Sequence, residues 1–234
     1  MKDISIVIPS LDPDSRLPSY CAALRERTGA PILLVDDGSR AELRGVFDEC
    51  IAAAPGVSLV RHDRNRGKGR ALKTAFAELL ETHPDLAGCV TADSDGQHAP
   101  EDVVRCMEKL AERPDALVLG CRTFDRKDVP WRSRFGNGWM RTLFRLVSGH
   151  AFDDTQTGLR GIPAGFMREL LDVPGERFEF ESEMLLRLGR RPLVQFPIRT
   201  IYENRNACSH FRPFADSAKI IRIVLRSACR AKKG

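Results

Sequence analysis

The sequence predicts an α/β fold built on a mostly parallel, Rossmann-like sheet with helices on both faces and a C-terminal extension. Three observations carry the prediction. Continuous apolar, often β-branched runs recur at 4–8, 32–35, 57–60, 88–90 and 116–119, as expected of strands buried on both faces. Apolar residues at helical spacing fill the intervals between them. The first, second and fourth runs end in proline, or in aspartate with glycine and serine, which are turn-forming and polar. Strands alternating with amphipathic helices at this spacing imply right-handed βαβ units.

Taken in order, Ile4-Ser5-Ile6-Val7-Ile8 is the first strand, and Pro9 ends it. Leu17, Tyr20, Cys21 and Leu24 mark a helix, and Ile32-Leu33-Leu34-Val35 a second strand that stops at Asp36-Asp37-Gly38-Ser39. A helix carrying Leu43, Val46, Phe47, Cys50 and Ile51 on one face follows, closed by Pro55-Gly56. Strand three is Val57 to Val60, and Ala71, Leu72, Ala75, Phe76, Leu79 and Leu80 mark the next helix. Gly88-Cys89-Val90 leads into Thr91-Ala92-Asp93-Ser94-Asp95-Gly96-Gln97-His98, and Pro100 opens a helix in its first turn. Ala116 to Leu119 is the fifth strand. Helices are expected at 164–171 and 179–190 and a strand at 193–200. From Phe214 onward Ala218, Ile221, Leu225 and Ala228 recur near helical period with Lys219, Arg222, Arg226 and Arg230 between them. Such a helix can lie on an anionic membrane surface or pack on the sheet. The expected organisation is a ligand-binding half at 1–120, a second half of the same domain at 121–204, and a basic segment at 205–234.

Composition narrows the class. With 234 residues, 42% hydrophobic and 29% charged, the chain can bury one sizeable core. No run reaches the roughly 18 apolar residues of a spanning helix, and Ile4 to Ile8 is too short for a signal-peptide core. Seven cysteines without a Cys-x-x-Cys pair point to reduced thiols in a cytoplasmic setting rather than disulfides or zinc. The formal charge is +5, yet residues 205–234 hold eight Lys or Arg against Asp216 alone. An anionic partner is implied there. Arginines and aromatics also interleave over 122–145, but no nucleic-acid motif accompanies them, so nucleic acid is not the expected partner.

The chemistry concentrates at three strand ends: Pro9-Ser10, Asp36 to Ser39, and Asp93 to Gln97. Asp93, Asp95 and Gln97 offer the hard oxygen ligands that Mg2+ or Mn2+ prefers, at the edge where an open α/β sheet binds ligands. A turn with a helix cap is the plainer reading of the same residues. Asp36 or Asp37 is placed to accept hydrogen bonds from a base or ribose. Asn65-Arg66-Gly67-Lys68-Gly69-Arg70 opens a helix, where free amides, lysine and the helix dipole favour a phosphate. The Walker A pattern is absent.

In their order and spacing, Val7-Ile8-Pro9, Val35 to Ser39, Asn65 to Gly69, Ala92 to His98 and Gly120-Cys121-Arg122 resemble the family 2 glycosyltransferases of the GT-A fold. Arg132-Ser133-Arg134-Phe135-Gly136-Asn137, Asp154 to Gly161, Glu179-Phe180-Glu181 and Ser209 to Arg212 are similar to the polyprenyl-phosphate branch, which includes dolichol-phosphate mannosyltransferase-like and bactoprenol glucosyltransferase-like enzymes. The resemblance implies a hexose transferred from a nucleotide sugar, of UDP-glucose or GDP-mannose type, to a polyprenyl phosphate at the inner face of a membrane; the alternatives are a soluble saccharide acceptor, with Glu181 or Asp154 as the base, and a catalytically silent nucleotide-sugar or membrane-binding module. It implies that Pro9, Asp36, Asp37, Gly38, Asn65, Lys68 and Asp93 bind the nucleotide, and that Asp93, Asp95 and Gln97 hold Mg2+ or Mn2+. Asp95, Arg122 and Arg160 would carry catalysis, and Arg132, Ser133, Arg134, Thr157, His210 and Arg212 the acceptor. Leu11-Asp12-Pro13 departs from the family's usual Tyr-Asn-Glu or Asn-Glu after the first proline, which leaves the nucleotide contacts there open. So does the question of a separate membrane-protein partner. Glu181 and Glu183 read as solvent-facing, Asp154 and Thr157 alternatively as loop caps, and His98 as a local hydrogen-bonding group.

Overall fold

A computed structural model describes residues 3–122, 142 and 144–199. Its strands are β1 (Ile4–Ser10), β2 (Ile32–Asp36), β3 (Val57–Arg61), β4 (Gly88–Thr91), β5 (Leu117–Arg122), β6 (Arg160–Pro163) and β7 (Leu193–Ile198). The helices are α1 (Leu17–Thr28), α2 (Gly45–Ala53), α3 (Lys68–Thr82), α4 (Pro100–Glu112), α5 (Ala164–Leu170) and α6 (Glu179–Leu186). One sheet takes the order β3-β2-β1-β4-β6-β5-β7. β1, β2, β3 and β4 pair in parallel, as do β5 and β7, while β6 runs antiparallel to both β4 and β5.

Strand alternation decides where the helices go. In β1, Val7 points into a core with Leu72 and Phe76 of α3, Phe166 and Met167 of α5, and Phe180 and Met184 of α6. Ile6 and Ile8 point the other way, among Leu17 and Leu24 of α1, Phe47 of α2, and Val103 and Met107 of α4. Every residue of β1 and β2 is buried. That is why these strands read as continuous apolar runs rather than alternating ones.

The expected α/β sheet with helices on both faces is present, with three differences of detail. β6 was not anticipated, because Arg160-Gly161-Ile162-Pro163 has neither β-branched enrichment nor period two. It fits by steric thinness: a Cβ on Gly88 would overlap the Ile162 carbonyl, and one on Gly161 would stand 3.1 Å from Val118 Cβ. The helix expected over Leu43 to Ile51 divides into a 3-10 turn at Ala41–Leu43 and α2, leaving Ile51 exposed. α6 ends at Leu186 rather than residue 190, ahead of Gly189 in the left-handed region at φ 62°. The basic C-terminal helix lies outside the described residues. Among the described residues no helix is long and apolar enough to cross a membrane.

Candidate active site

Because β6 is antiparallel to both its neighbours, β5 runs in the same direction as β4. Ser10, Asp36, Thr91 and Arg122 therefore end their strands at one edge of the sheet. A cleft of about 390 Å³ opens there. Of the residues singled out in the sequence, Pro9, Asp37, Asn65, Lys68, Asp93, Asp95, Gln97 and Arg122 line it.

Asp93 stands at its centre. Lys68 Nζ donates to its Oδ1 at 2.7 Å, and His98 Nε2 lies 3.2 Å from its Oδ2. His98 is buried, and its carbonyl accepts the Tyr20 hydroxyl at 2.8 Å, the local bonding role expected of it. Burial opposes ionisation of Asp93, but the Lys68 charge and the His98 contact hold its carboxyl far below the usual range. Lys68 also donates to Glu181 Oε1 at 3.0 Å. Burial would lower the Lys68 ammonium, yet its two carboxylate partners hold it above its ordinary value. Asp95 accepts the Gln97 amide at 3.1 Å, and its carboxyl is raised by burial and by the neighbouring Asp93 charge. Gly158 makes the arrangement fit, since a Cβ there would overlap the Asp93 carboxylate.

Several predicted residues serve the walls instead of the cleft. Asp36 is fully buried, accepting the Ser39 amide and Arg61 Nε, each at 2.7 Å, so it fixes the turn after β2 and does not line the cleft. Gly38 does not line the cleft either. It sits at φ 79°, where a Cβ would overlap the Arg64 backbone, and so lets the loop after β3 pass close by. Asp37 lines the cleft but is occupied: His62 Nδ1 lies 2.7 Å from Oδ1, which also accepts the Arg66 amide at 2.9 Å, while Oδ2 accepts the Gly67 amide at 2.8 Å. Thus the expected cradle of free amides is partly used up, because Arg70 N also donates to the Glu176 carbonyl at 2.9 Å. The glycines flanking Lys68 serve packing: a Cβ on Gly67 would overlap Glu176 O, and one on Gly69 would stand 2.5 Å from Phe180 Cβ.

The second half of the chain forms the opposite wall. Arg122 lines the cleft with its guanidinium gripped by Asp154, Nε to Oδ2 at 2.7 Å and Nη2 to Oδ1 at 3.1 Å. Asp154 is fully buried and also accepts the Gln156 amide at 2.9 Å. Thr157, predicted to touch the acceptor, is buried and donates to the Gly120 carbonyl at 2.6 Å, stapling its loop to β5. Arg160, predicted to be catalytic, does not line the cleft: it is 1% exposed and donates to the carbonyls of Thr157 at 2.9 Å and Glu181 at 2.7 Å. Its Nη2 has no hydrogen-bond partner and lies 4.0 Å from Glu181 Oε1. Antiparallel pairing of Arg160 with Thr91 and Leu119 buries it in mid-sheet. Glu181, read as solvent-facing, lines the cleft with its side chain 13% exposed. Arg132, Ser133, Arg134, His210 and Arg212 lie outside the described residues.

The cleft also includes Gln156, Arg177, Phe178 and a rim at Leu11 to Asp14, none of which the sequence reading selected as ligand groups. The rim has its own latch. Asp12, at φ 51°, donates its amide to Ser39 Oγ at 2.9 Å and accepts Arg40 N at 2.9 Å and Arg40 Nε at 3.0 Å. The variant Leu11-Asp12-Pro13 thereby ties the loop after β1 to the loop after β2.

Hard oxygens at Asp93, Asp95 and Gln97 suit Mg2+ or Mn2+. Asp93 is ionised and already paired with the Lys68 ammonium, and among the described residues no group of three or more His, Cys, Asp or Glu side chains converges, so the oxygen set there is two carboxylates and an amide.

A sheet of this order, with paired aspartates after the fourth strand, defines a glycosyltransferase of GT-A-like fold. The crystal structure of glucosyl-3-phosphoglycerate synthase from Mycobacterium tuberculosis with Mn2+, UDP and phosphoglyceric acid shares it, at TM-score 0.69 and 18% identity, covering 97% of this chain and 78% of that one. The chain belongs to glycosyl transferase family 2, whose model matches residues 5–173. It is 31% identical over 201 residues to the undecaprenyl-phosphate mannosyltransferase of Micrococcus luteus, covering 82% of this chain and 81% of that protein. It is 26% identical over 219 residues to a UDP-N-acetylglucosamine–dolichyl-phosphate N-acetylglucosaminyltransferase of Methanococcus voltae, covering 86% of each.

Proposed function

We propose that the protein transfers a hexose from a nucleotide sugar to a polyprenyl phosphate, with a divalent cation, in a single inverting displacement at a membrane face. One observation carries this reading. Among the described residues, every carboxylate lining the cleft except Asp95 already has a cationic or histidine partner: Asp12 with Arg40, Asp14 with Arg16, Asp37 with His62, and Asp93 and Glu181 with Lys68. Asp154, the other candidate base, is sealed on Arg122. A saccharide hydroxyl would need a base to remove its proton. A phosphate monoester brings its own negative charge, since its second pKa lies near about 6. The names of the relatives above agree with such an acceptor.

In this mechanism Asp93, Asp95 and Gln97 would hold Mg2+ or Mn2+, which supplies charge neutralisation for the departing nucleoside diphosphate. Pro9, Asp37 and Asn65 form the donor's nucleoside end, with Lys68 beside the diphosphate. Arg122, fixed by Asp154 at the wall of the cleft, receives the incoming phosphate, a task suited to a guanidinium. An oxygen of that phosphate forms the new bond to the anomeric carbon as the bond to the diphosphate breaks, and the diphosphate leaves with the electron pair. The basic segment 205–234 holds the protein on an anionic membrane surface.

The test is a donor screen. UDP- and GDP-sugars are incubated with Mg2+ and a short-chain polyprenyl phosphate or a free saccharide, and nucleotide release is measured. Release that requires both metal and lipid phosphate is expected. Release with a saccharide alone would replace this reading by one with a soluble acceptor, and no release with any donor would leave a binding module.

A further inference from the structure

Four charges form a chain from the interior of the sheet to the cleft: Arg160, fully buried, then Glu181, Lys68 and Asp93, each partly buried. Glu181 Oε1 stands between two cations, 3.0 Å from Lys68 Nζ and 4.0 Å from Arg160 Nη2. Arg160 also donates to the Glu181 backbone carbonyl at 2.7 Å, so it fixes that residue's backbone while its charge faces the carboxylate at 4.0 Å. Lys68 in turn divides its donors between Glu181 and Asp93, the latter at 2.7 Å. An ammonium has three N–H groups; two are committed, and Lys68 lines the cleft.

We propose that Lys68 is an internal counter-cation that links metal binding to nucleotide binding, with Glu181, itself held by Arg160, as the residue that positions it. The inference rests on the metal-dependent reading given above and deepens it. A divalent cation approaching Asp93 meets a carboxylate already bonded to an ammonium, and two cations at one carboxylate repel. Lys68 can move off Asp93 because Glu181 keeps it paired. A diphosphate arriving in the cleft gives the same ammonium a second anion. Metal alone therefore binds weakly, and metal with nucleoside diphosphate binds well. Linkage makes the effect reciprocal, each ligand tightening the other by the same factor. Glu181 and Arg160 act through Lys68 and are positioning residues.

The experiment measures Mn2+ binding to the full chain by the loss of the free-ion electron paramagnetic resonance signal, with and without UDP or GDP, after subtracting the Mn2+ that the nucleotide alone removes in protein-free samples. Wild type should bind Mn2+ more tightly with one of the nucleotides than alone. Lys68→Met should bind Mn2+ alone about 5-fold or more tighter than wild type, and the nucleotide enhancement should be smaller than in wild type, leaving only the direct attraction between metal and diphosphate. Lys68→Arg, which keeps the cation, should retain the enhancement. Glu181→Gln should weaken Mn2+ binding without nucleotide, because Lys68 then rests on Asp93 alone. A merely structural role for Lys68 would loosen the metal in Lys68→Met, and that result, or an unchanged affinity, overturns the proposal. Should wild type hold no Mn2+ with either nucleotide, the metal-dependent reading itself fails and the inference with it. Mn2+ held normally by wild type, with no tightening in Lys68→Met, overturns the linkage alone.

Discussion

At the scale of single residues, the site depends on how closely two groups approach Asp93. Gly158 leaves no room for a side chain, since a Cβ there would overlap the carboxylate. Gly158→Ala is therefore expected to displace Asp93 and lower turnover about 10-fold or more, a 1 Å misplacement being costly near reacting groups. Gly165→Ala, whose Cβ meets nothing within 4 Å, serves as the neutral control, and steady-state rates with unchanged circular dichroism would check the pair. Asp95→Ala is expected to lose more than about 100-fold in activity while the fold persists, because even groups that merely support metal ligands cost 10–100-fold when removed. Retained turnover in that variant would refute the metal assignment. Asp93 and Asp95 were legible as cleft residues because they follow an apolar strand at the edge where an open α/β sheet binds ligands, although Asp36, which also ends such a strand, fixes a turn instead. Glu181 was not, since a glutamate on a short helix looks like any solvated surface group until the fold turns it inward against Lys68.

Loops and strands explain why other groups lie behind the cleft wall. Asp154 and Thr157 share a loop whose task is to hold Arg122 and the end of β5. Burial opposes the charge on Asp154, yet its bonds from Arg122 prevail and keep its carboxyl below its ordinary 3.8. A carboxyl that holds its proton more weakly folded than unfolded adds stability above pH 3.8, and that contribution drains away as pH falls through the folded value. Asp154→Asn should thus destabilise the protein by roughly 2 kcal/mol near neutrality, less than a wholly buried pair, because the Arg122 side chain is 25% exposed. The gap between wild type and variant in urea melts should narrow toward about pH 3. A constant gap would assign the loss to packing. β6 escaped detection because a glycine and a proline suit a thin strand wedged between neighbours yet carry no pattern of their own.

Across the whole molecule, periodicity disclosed most of the sheet, because strands buried on both faces must be apolar throughout. The antiparallel strand inserted between β4 and β5, and the meeting of the sheet's two halves there, depended on contacts distant in sequence. Residues 214–234 are expected to tether the protein to anionic vesicles, where each basic residue contributes about 1 kcal/mol near the surface. Removing them should lower co-sedimentation with phosphatidylserine vesicles about 10-fold or more, and undiminished binding would make that segment a packing element. The two halves, already paired through β6, also meet at Gly67-Lys68-Gly69. Lys68 is flanked by Gly67 and Gly69, both pressed without clearance against residues 176–180. Any parting of that seam would drag the ammonium from the aspartate, so motion between the halves would be felt as altered charge at the fourth strand's tip, and even a methyl group inserted there would act as a lever.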